Sequence, residues 1–206
     1  MRRPASASSA GRAGAAARRN RVRIIAGKWR SRLVKFPPAI ALRPTPDRVR
    51  ETLFNWLGQS LDDTSCLDLF AGSGALGFEA ASRGAARVVM VEADRAVFSA
   101  LQTTRETIRA HAVELVLGDA LDYLQSTRER FDVVFLDPPF RQNALPAVLE
   151  RLEPRLTVGA RVYIEAPAAC TLGGRWRELK SARAGQVSYQ LFQWRSDDQG
   201  GLPGNV

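Results

Sequence analysis

Cys66-Leu67-Asp68-Leu69-Phe70-Ala71-Gly72-Ser73-Gly74-Ala75-Leu76-Gly77 decides the fold of this chain. An apolar run of strand length enters a glycine-rich turn and leaves it as the start of a helix. Glycine lets a backbone turn tightly and approach a ligand without side-chain clash. Glu92 stands 20 residues beyond Gly72. It closes the next apolar run, where a carboxylate can accept both hydroxyls of a ribose. Together they point to an adenosine-type cofactor without choosing among such cofactors. The plainer reading is a structural turn followed by a surface acid.

Outward from this stretch, apolar runs alternate with helical patterns. Strands are expected at residues 65–70, 87–92, 113–117, 131–136 and 161–165, with helices at 74–83, 94–110, 120–126 and 143–152 between them. Such alternation means parallel strands joined by crossover helices. Runs 176–181 and 186–194 are joined only by Ala182-Arg183-Ala184-Gly185, a hairpin joint, so the last strand must run antiparallel to its neighbour. The expected fold is α/β: a Rossmann-like, doubly wound, seven-stranded and mostly parallel sheet with an antiparallel last strand. A small N-terminal β-hairpin precedes it, from the apolar-basic runs 21–26 and 32–36 flanking Gly27-Lys28. Arg43-Pro44-Thr45-Pro46-Asp47 then sets up a helix over 47–57, with Thr45 as its cap and Pro46 in its first turn. Val49, Leu53, Phe54 and Leu57 share one side of it. The division expected is a disordered basic tail at 1–20, the hairpin extension at 21–42, a catalytic domain at 43–196 and a flexible tail at 197–206.

The 206 residues carry a formal charge of +9. Residues 1–35 hold 11 Lys and Arg and no acid, leaving 19 basic against 21 acidic residues in the remainder. The body is nearly neutral, and a polyanion such as nucleic acid would feel a local N-terminal field; a merely solvated tail is the plainer account. Cys66 and Cys170 cannot build a disulfide framework and have no partners at metal-ligand spacing, which suits a reducing cytoplasm and a chain without metal. No run is long and apolar enough to span a bilayer, and the Arg-rich start has no apolar core for secretion. Residues 1–20 also have the composition of an organellar transit peptide.

Two further motifs close strands. Gly118-Asp119-Ala120 follows the third, and Asp137-Pro138-Pro139-Phe140 the fourth. Ligands bind at the carboxyl ends of strands in open α/β sheets. A prolyl pair continues neither helix nor sheet, so it holds Asp137 and the Pro138 carbonyl rigidly at the rim. Two acceptors there can receive the hydrogens of an amino group and turn its lone pair toward an electrophile, while Phe140 offers a face for a base. A hydride-transfer site would more usually hold a His or Lys acid/base, and the lone His111 falls at a polar helix end.

These motifs resemble those of the class I amino-methyltransferases. Within that class, the stretches 23–30 (Arg23-Ile24-Ile25-Ala26-Gly27-Lys28-Trp29-Arg30) and 43–57, beginning Arg43-Pro44-Thr45-Pro46-Asp47-Arg48-Val49-Arg50-Glu51, are similar to the RsmD family of bacterial 16S rRNA (guanine-N2)-methyltransferases. The likeness runs from about Arg21 to about Trp194. It implies S-adenosyl-L-methionine as cofactor, and 16S rRNA or the small ribosomal subunit as partner. Asp68, Phe70, Ala71, Gly72, Ser73 and Gly74 would line the cofactor pocket, and Glu92 with Ala93 would hold the ribose. Asp119 would meet the adenine amino group with Ala120 beside the ring. Arg43 and Thr45 would close over the methionine end or the target base, and Asp137, Pro138, Pro139 and Phe140 would carry catalysis, Asp137 also touching the cofactor. Pro46 departs from the family, which often has a second Thr there.

The basic hairpin, with Arg21, Arg23, Lys28, Arg30, Arg32 and Lys35 around Trp29, would contact phosphates. Trp29 is either a stacking surface or a core residue. A monomer is expected. The alternatives are an adenine-N6 methyltransferase on DNA or RNA, an NAD-dependent dehydrogenase on the glycine turn alone, and a non-catalytic RNA-binding module that kept the fold.

Overall fold

The computed structural model describes residues 20–36, 45–138 and 145–195. Elements in chain order are β1 (Arg21–Arg23), β2 (Leu33–Lys35), α1 (Asp47–Leu57), β3 (Ser65–Asp68), α2 (Ala75–Ser82), β4 (Arg87–Glu92), α3 (Arg95–Ile108), β5 (Val113–Leu117), α4 (Ala120–Ser126), β6 (Phe131–Leu136), α5 (Leu145–Leu152), β7 (Leu156–Ala166), β8 (Trp176–Ala184) and β9 (Val187–Trp194). The main sheet has seven strands in the order β5-β4-β3-β6-β7-β9-β8. Strands β3 to β7 are mutually parallel; β9 runs antiparallel to both β7 and β8. The expected architecture is the one found. Chain order reverses between β3 and β6, which opens a crevice at their carboxyl ends.

Two apolar layers cover the sheet. On one face α1, α2 and α3 pack through Val49, Leu53, Phe54, Phe78, Val97 and Leu101 against Cys66, Met90, Phe135 and Tyr163. On the other, α4 and α5 bury Leu124, Val148 and Leu152 against Leu67, Val89, Val134 and Val162. Alternation along each strand sends successive residues to opposite layers, which is why both faces are apolar in a largely parallel sheet.

Three local expectations are revised. β7 begins at Leu156, five residues earlier than residue 161, because Gly159 takes φ 83 in an irregularity between the Phe131 and Val133 pairings and does not end the strand. β8 runs on to Ala184, which pairs with Val187, so Gly185 and Gln186 alone form the turn. The N-terminal strands are shorter than expected because the amides of Ile25 and Ala26 leave the hairpin. They donate instead to the Glu79 carboxylate of α2, at 2.7 and 3.0 Å.

That exchange docks the hairpin on α2 and, through it, on the main sheet. Trp29 donates its amide to Ser82 Oγ, Lys28 donates its amide to the Ser82 carbonyl, and Ser82 Oγ donates to the Ala26 carbonyl. Gly27 lies so close to α2 that a Cβ would sit 1.8 Å from the Ser82 carbonyl oxygen, at φ 79; only glycine fits. Ile24, Trp29 and Val34 join the core. Trp29 is therefore a core residue, with the Lys28 ammonium 5.7 Å from its ring centroid. Among the described residues no helix is long and apolar enough to cross a membrane, and no cluster of side chains is composed to hold a metal ion.

Candidate active site

The carboxyl ends of β4, β3, β6 and β7 stand side by side. Asp68 closes β3 opposite Phe135, and Leu69 donates its amide to the Phe135 carbonyl, so the glycine turn and the corner at Asp137 emerge next to each other. The turn itself is drawn tight. Gly72 and Gly74 take φ 50 and 77, and the Gly74 amide donates to the Ala71 carbonyl at 2.7 Å. A Cβ on Gly74 would lie 2.7 Å from both Leu101 and Phe78, so glycine is required there by conformation and by space.

Glu92 ties this turn to the next strand. One carboxylate oxygen accepts the Gly72 amide at 2.8 Å and the other the Asp94 amide at 2.7 Å. Each oxygen retains a second lone pair, enough for a pair of vicinal hydroxyls. Ala93 beside it is exposed. Asp119 caps α4, its Oδ1 accepting the amides of Leu121 and Asp122, and its carboxylate is exposed; Ala120 behind it is buried. Phe70 and Gly72 are half-buried, and Ala71 and Ser73 buried. Asp68 is buried beneath the turn and accepts the Gly77 amide at 2.9 Å, which fastens α2 to β3. Burial pushes its carboxyl up to about 7, the Gly77 amide opposing and the charge of Glu92 adding to the effect.

Asp137 is half-buried and Pro138 buried. Desolvation, then the charges of Glu165 and Asp68, hold the Asp137 carboxyl well above the usual range, with a hydrogen bond from Thr45 opposing. Thr45 was expected to cap α1; the cap position is Pro46, without a side-chain bond, and Thr45 is buried where its hydroxyl acts on Asp137 and Glu165. Pro139, Phe140 and Arg43 lie outside the described residues.

Two site residues carry no motif that sequence reasoning could single out. Glu165 stands one residue before the end of β7, on the strand next to Asp137, and is buried; Tyr163 Oη donates to its carboxylate at 2.7 Å. Burial raises Glu165, opposed by the bonds from Tyr163 and Thr45. Asp68, Asp137 and Glu165 each follow by two a residue of the same core layer, Cys66, Phe135 and Tyr163, so period-two alternation turns all three to one face of the sheet. An acid at the end of the fifth strand was the one signal available for Glu165.

A tight glycine cradle, a paired-acceptor carboxylate on the adjacent strand and a row of acids along the crevice suit a cofactor with a ribose and a positive centre. The six basic residues of the hairpin, Arg21, Arg23, Lys28, Arg30, Arg32 and Lys35, are all exposed.

The family described as conserved hypothetical protein 95 matches residues 22–193. The chain belongs to this family. Ribosomal RNA small subunit methyltransferase D of Escherichia coli (strain K12) is 42% identical over 177 residues, covering 84% of this chain and 89% of that protein. The protein of the same name from Haemophilus influenzae is 42% identical over 180 residues, covering 84% and 93%. A solved Escherichia coli structure superimposes with a TM-score of 0.79 at 42% identity, covering 86% of this chain and 99% of that one. The family match takes in both the hairpin and the sheet, as the docking through Glu79 and Ser82 would require of a single structural unit.

Proposed function

We propose that this chain transfers a methyl group from S-adenosyl-L-methionine to the exocyclic N2 amine of a guanine in 16S rRNA, acting on the small ribosomal subunit. The observation that carries the reading is the position of Asp137 at the switch point, beside the glycine turn that Glu92 braces. The relatives named as small-subunit rRNA methyltransferases support the class of substrate.

The cofactor supplies an electrophilic methyl on a sulfonium, so the protein's task is to position and to bind. Glu92 accepts the ribose hydroxyls, Gly72 and Gly74 let the backbone close on the cofactor, and Asp119 and Ala120 border the adenine. Asp137 and the Pro138 carbonyl accept the amine hydrogens, which favours a tetrahedral nitrogen with its lone pair toward the methyl. By family resemblance Pro139 and Phe140 would share in catalysis, Phe140 offering its face to the base, and Arg43 and Thr45 would close over the methionine end or the target base. A paired guanine shields N2, so the target is unpaired or flipped. Arg21, Arg23, Lys28, Arg30, Arg32 and Lys35 supply phosphate contacts; Trp29, buried, supports their backbone.

Labelled S-adenosyl-L-methionine incubated with unmodified small subunits, followed by nucleoside analysis, tests the reading. N2-methylguanine is expected. N6-methyladenine would instead establish the adenine alternative, and no incorporation into any RNA would overturn both.

A further inference from the structure

We propose that Glu165 is a specificity-determining residue of this site: set beside Asp137 at the carboxyl ends of adjacent parallel strands, it makes the pocket prefer the cationic sulfonium cofactor to its neutral thioether product. The inference rests on the proposed methyl transfer, and it concerns what the protein gains from a second acid that the amine chemistry does not use.

β6 and β7 are parallel and Leu136 pairs with Ile164, so Asp137 and Glu165 leave adjacent strands at the same height. The buried Thr45 brings its hydroxyl to bear on both carboxyls and favours the ionised form of each. Tyr163 Oη, itself buried, donates to Glu165 at 2.7 Å. A Thr hydroxyl has one proton to give. When it donates to one carboxylate it can only accept from the other, so the pair is best satisfied while it holds one proton between the two acids. Titratable groups face this pair from each neighbouring strand: Asp68 from β3, Tyr163 on β7 itself and Tyr189, paired with Glu165 across β9. The charge of Asp68 raises the cost of removing that last proton, and neither tyrosine brings a positive charge to offset it.

A positive sulfonium arriving beside Asp137 reverses the balance. It favours the ionised pair, expels the proton and gains the attraction of both carboxylates. The neutral product gains none of this, so it is held less tightly and leaves after turnover. Because the cation is bound best by the ionised pair, its affinity rises with pH through the pair's titration, whereas that of the product stays level.

Calorimetric titration of the full chain with S-adenosylmethionine and with S-adenosylhomocysteine tests this without reference to catalysis. In the wild type the ratio of the two affinities should rise by about tenfold between acid and alkaline pH, and proton release on binding should accompany the sulfonium compound alone. Glu165→Gln, which keeps the shape and can still bond Tyr163 and Thr45, should lower the ratio by about tenfold at alkaline pH and flatten its pH dependence. A wild-type ratio independent of pH would overturn the proposal with no variant needed. So would a Glu165→Gln chain that binds both compounds in the wild-type ratio. If the wild type bound neither compound, the methyltransferase reading itself would fall, and this inference with it.

Discussion

The Glu79 carboxylate and the Arg50 guanidinium face each other at 3.5 Å, both side chains wholly withdrawn from solvent. Arg50 also donates to the Thr45 carbonyl at 3.2 Å, the Arg23 carbonyl at 2.8 Å and Asp47 at 2.7 Å. Glu79 accepts Arg83 Nε at 2.8 Å besides the two hairpin amides. One buried pair therefore joins the hairpin, α2 and the peptide whose hydroxyl reaches the site.

Glu79→Ala should be among the costliest single changes. It leaves the buried Arg50 with Asp47 as its remaining counter-charge, Arg83 without its carboxylate and two amides without acceptors, a loss of about 3–5 kcal/mol. Urea denaturation measures it, and a cost below about 1 kcal/mol would show that the network adds little.

Asp137→Ala should reduce methyl transfer by about 10²–10³-fold, the effect of losing one preorganised hydrogen-bonding group at a reacting centre. Affinity for S-adenosylhomocysteine should stay within a few-fold, since the ribose and adenine contacts are untouched. Equal losses of both would make Asp137 a binding residue only.

Glu92→Ala should weaken S-adenosylmethionine and S-adenosylhomocysteine alike, by about 10–100-fold, the equivalent of roughly 1.5–3 kcal/mol for hydrogen bonds to a charged group. Calorimetry with both compounds separates this uniform loss from the selective one predicted for Glu165.

Stability should fall as pH rises through the titration of Asp68. The carboxyl goes from an ordinary 3.8 to about 7 in the fold. The folded state therefore binds the extra proton between these values, and unfolding becomes easier as that proton is lost. Asp68→Asn, which can still accept the Gly77 amide, should flatten the decline and make the chain about 2–4 kcal/mol more stable at pH 8 relative to wild type. A wild-type stability level from pH 4 to 8 would contradict the assignment.

RNA affinity should fall steeply with salt. Replacing Arg21, Lys28, Arg30 and Arg32 by Gln should reduce the log–log slope by about 0.7–0.9 for each phosphate that is no longer neutralised. Side-chain replacement is the right test, because removing residues 1–35 would strip Ile24, Trp29 and Val34 from the core. An unchanged slope would place the RNA elsewhere.

The amino-acid sequence by itself determined the sheet, the crossover helices and the places where strands end. Apolar period and glycine position are local properties, and they survive without knowledge of neighbours. β4, β5 and β6 fall within the residues expected of them, and the glycine turn, Glu92, Asp119 and Asp137 could be singled out because each follows a strand directly. The tertiary structure alone decided the partners. Thr45 has the sequence context of a helix cap, yet its hydroxyl acts on two acids more than ninety residues away. Glu79, Arg50 and Glu165 carry no local pattern, since what a buried charge does depends on which charges the fold brings against it. Trp29 and the short β1 and β2 follow the same rule: the amides of Ile25 and Ala26 found a carboxylate on α2, and a contact between distant segments overruled the ladder that local pattern favoured.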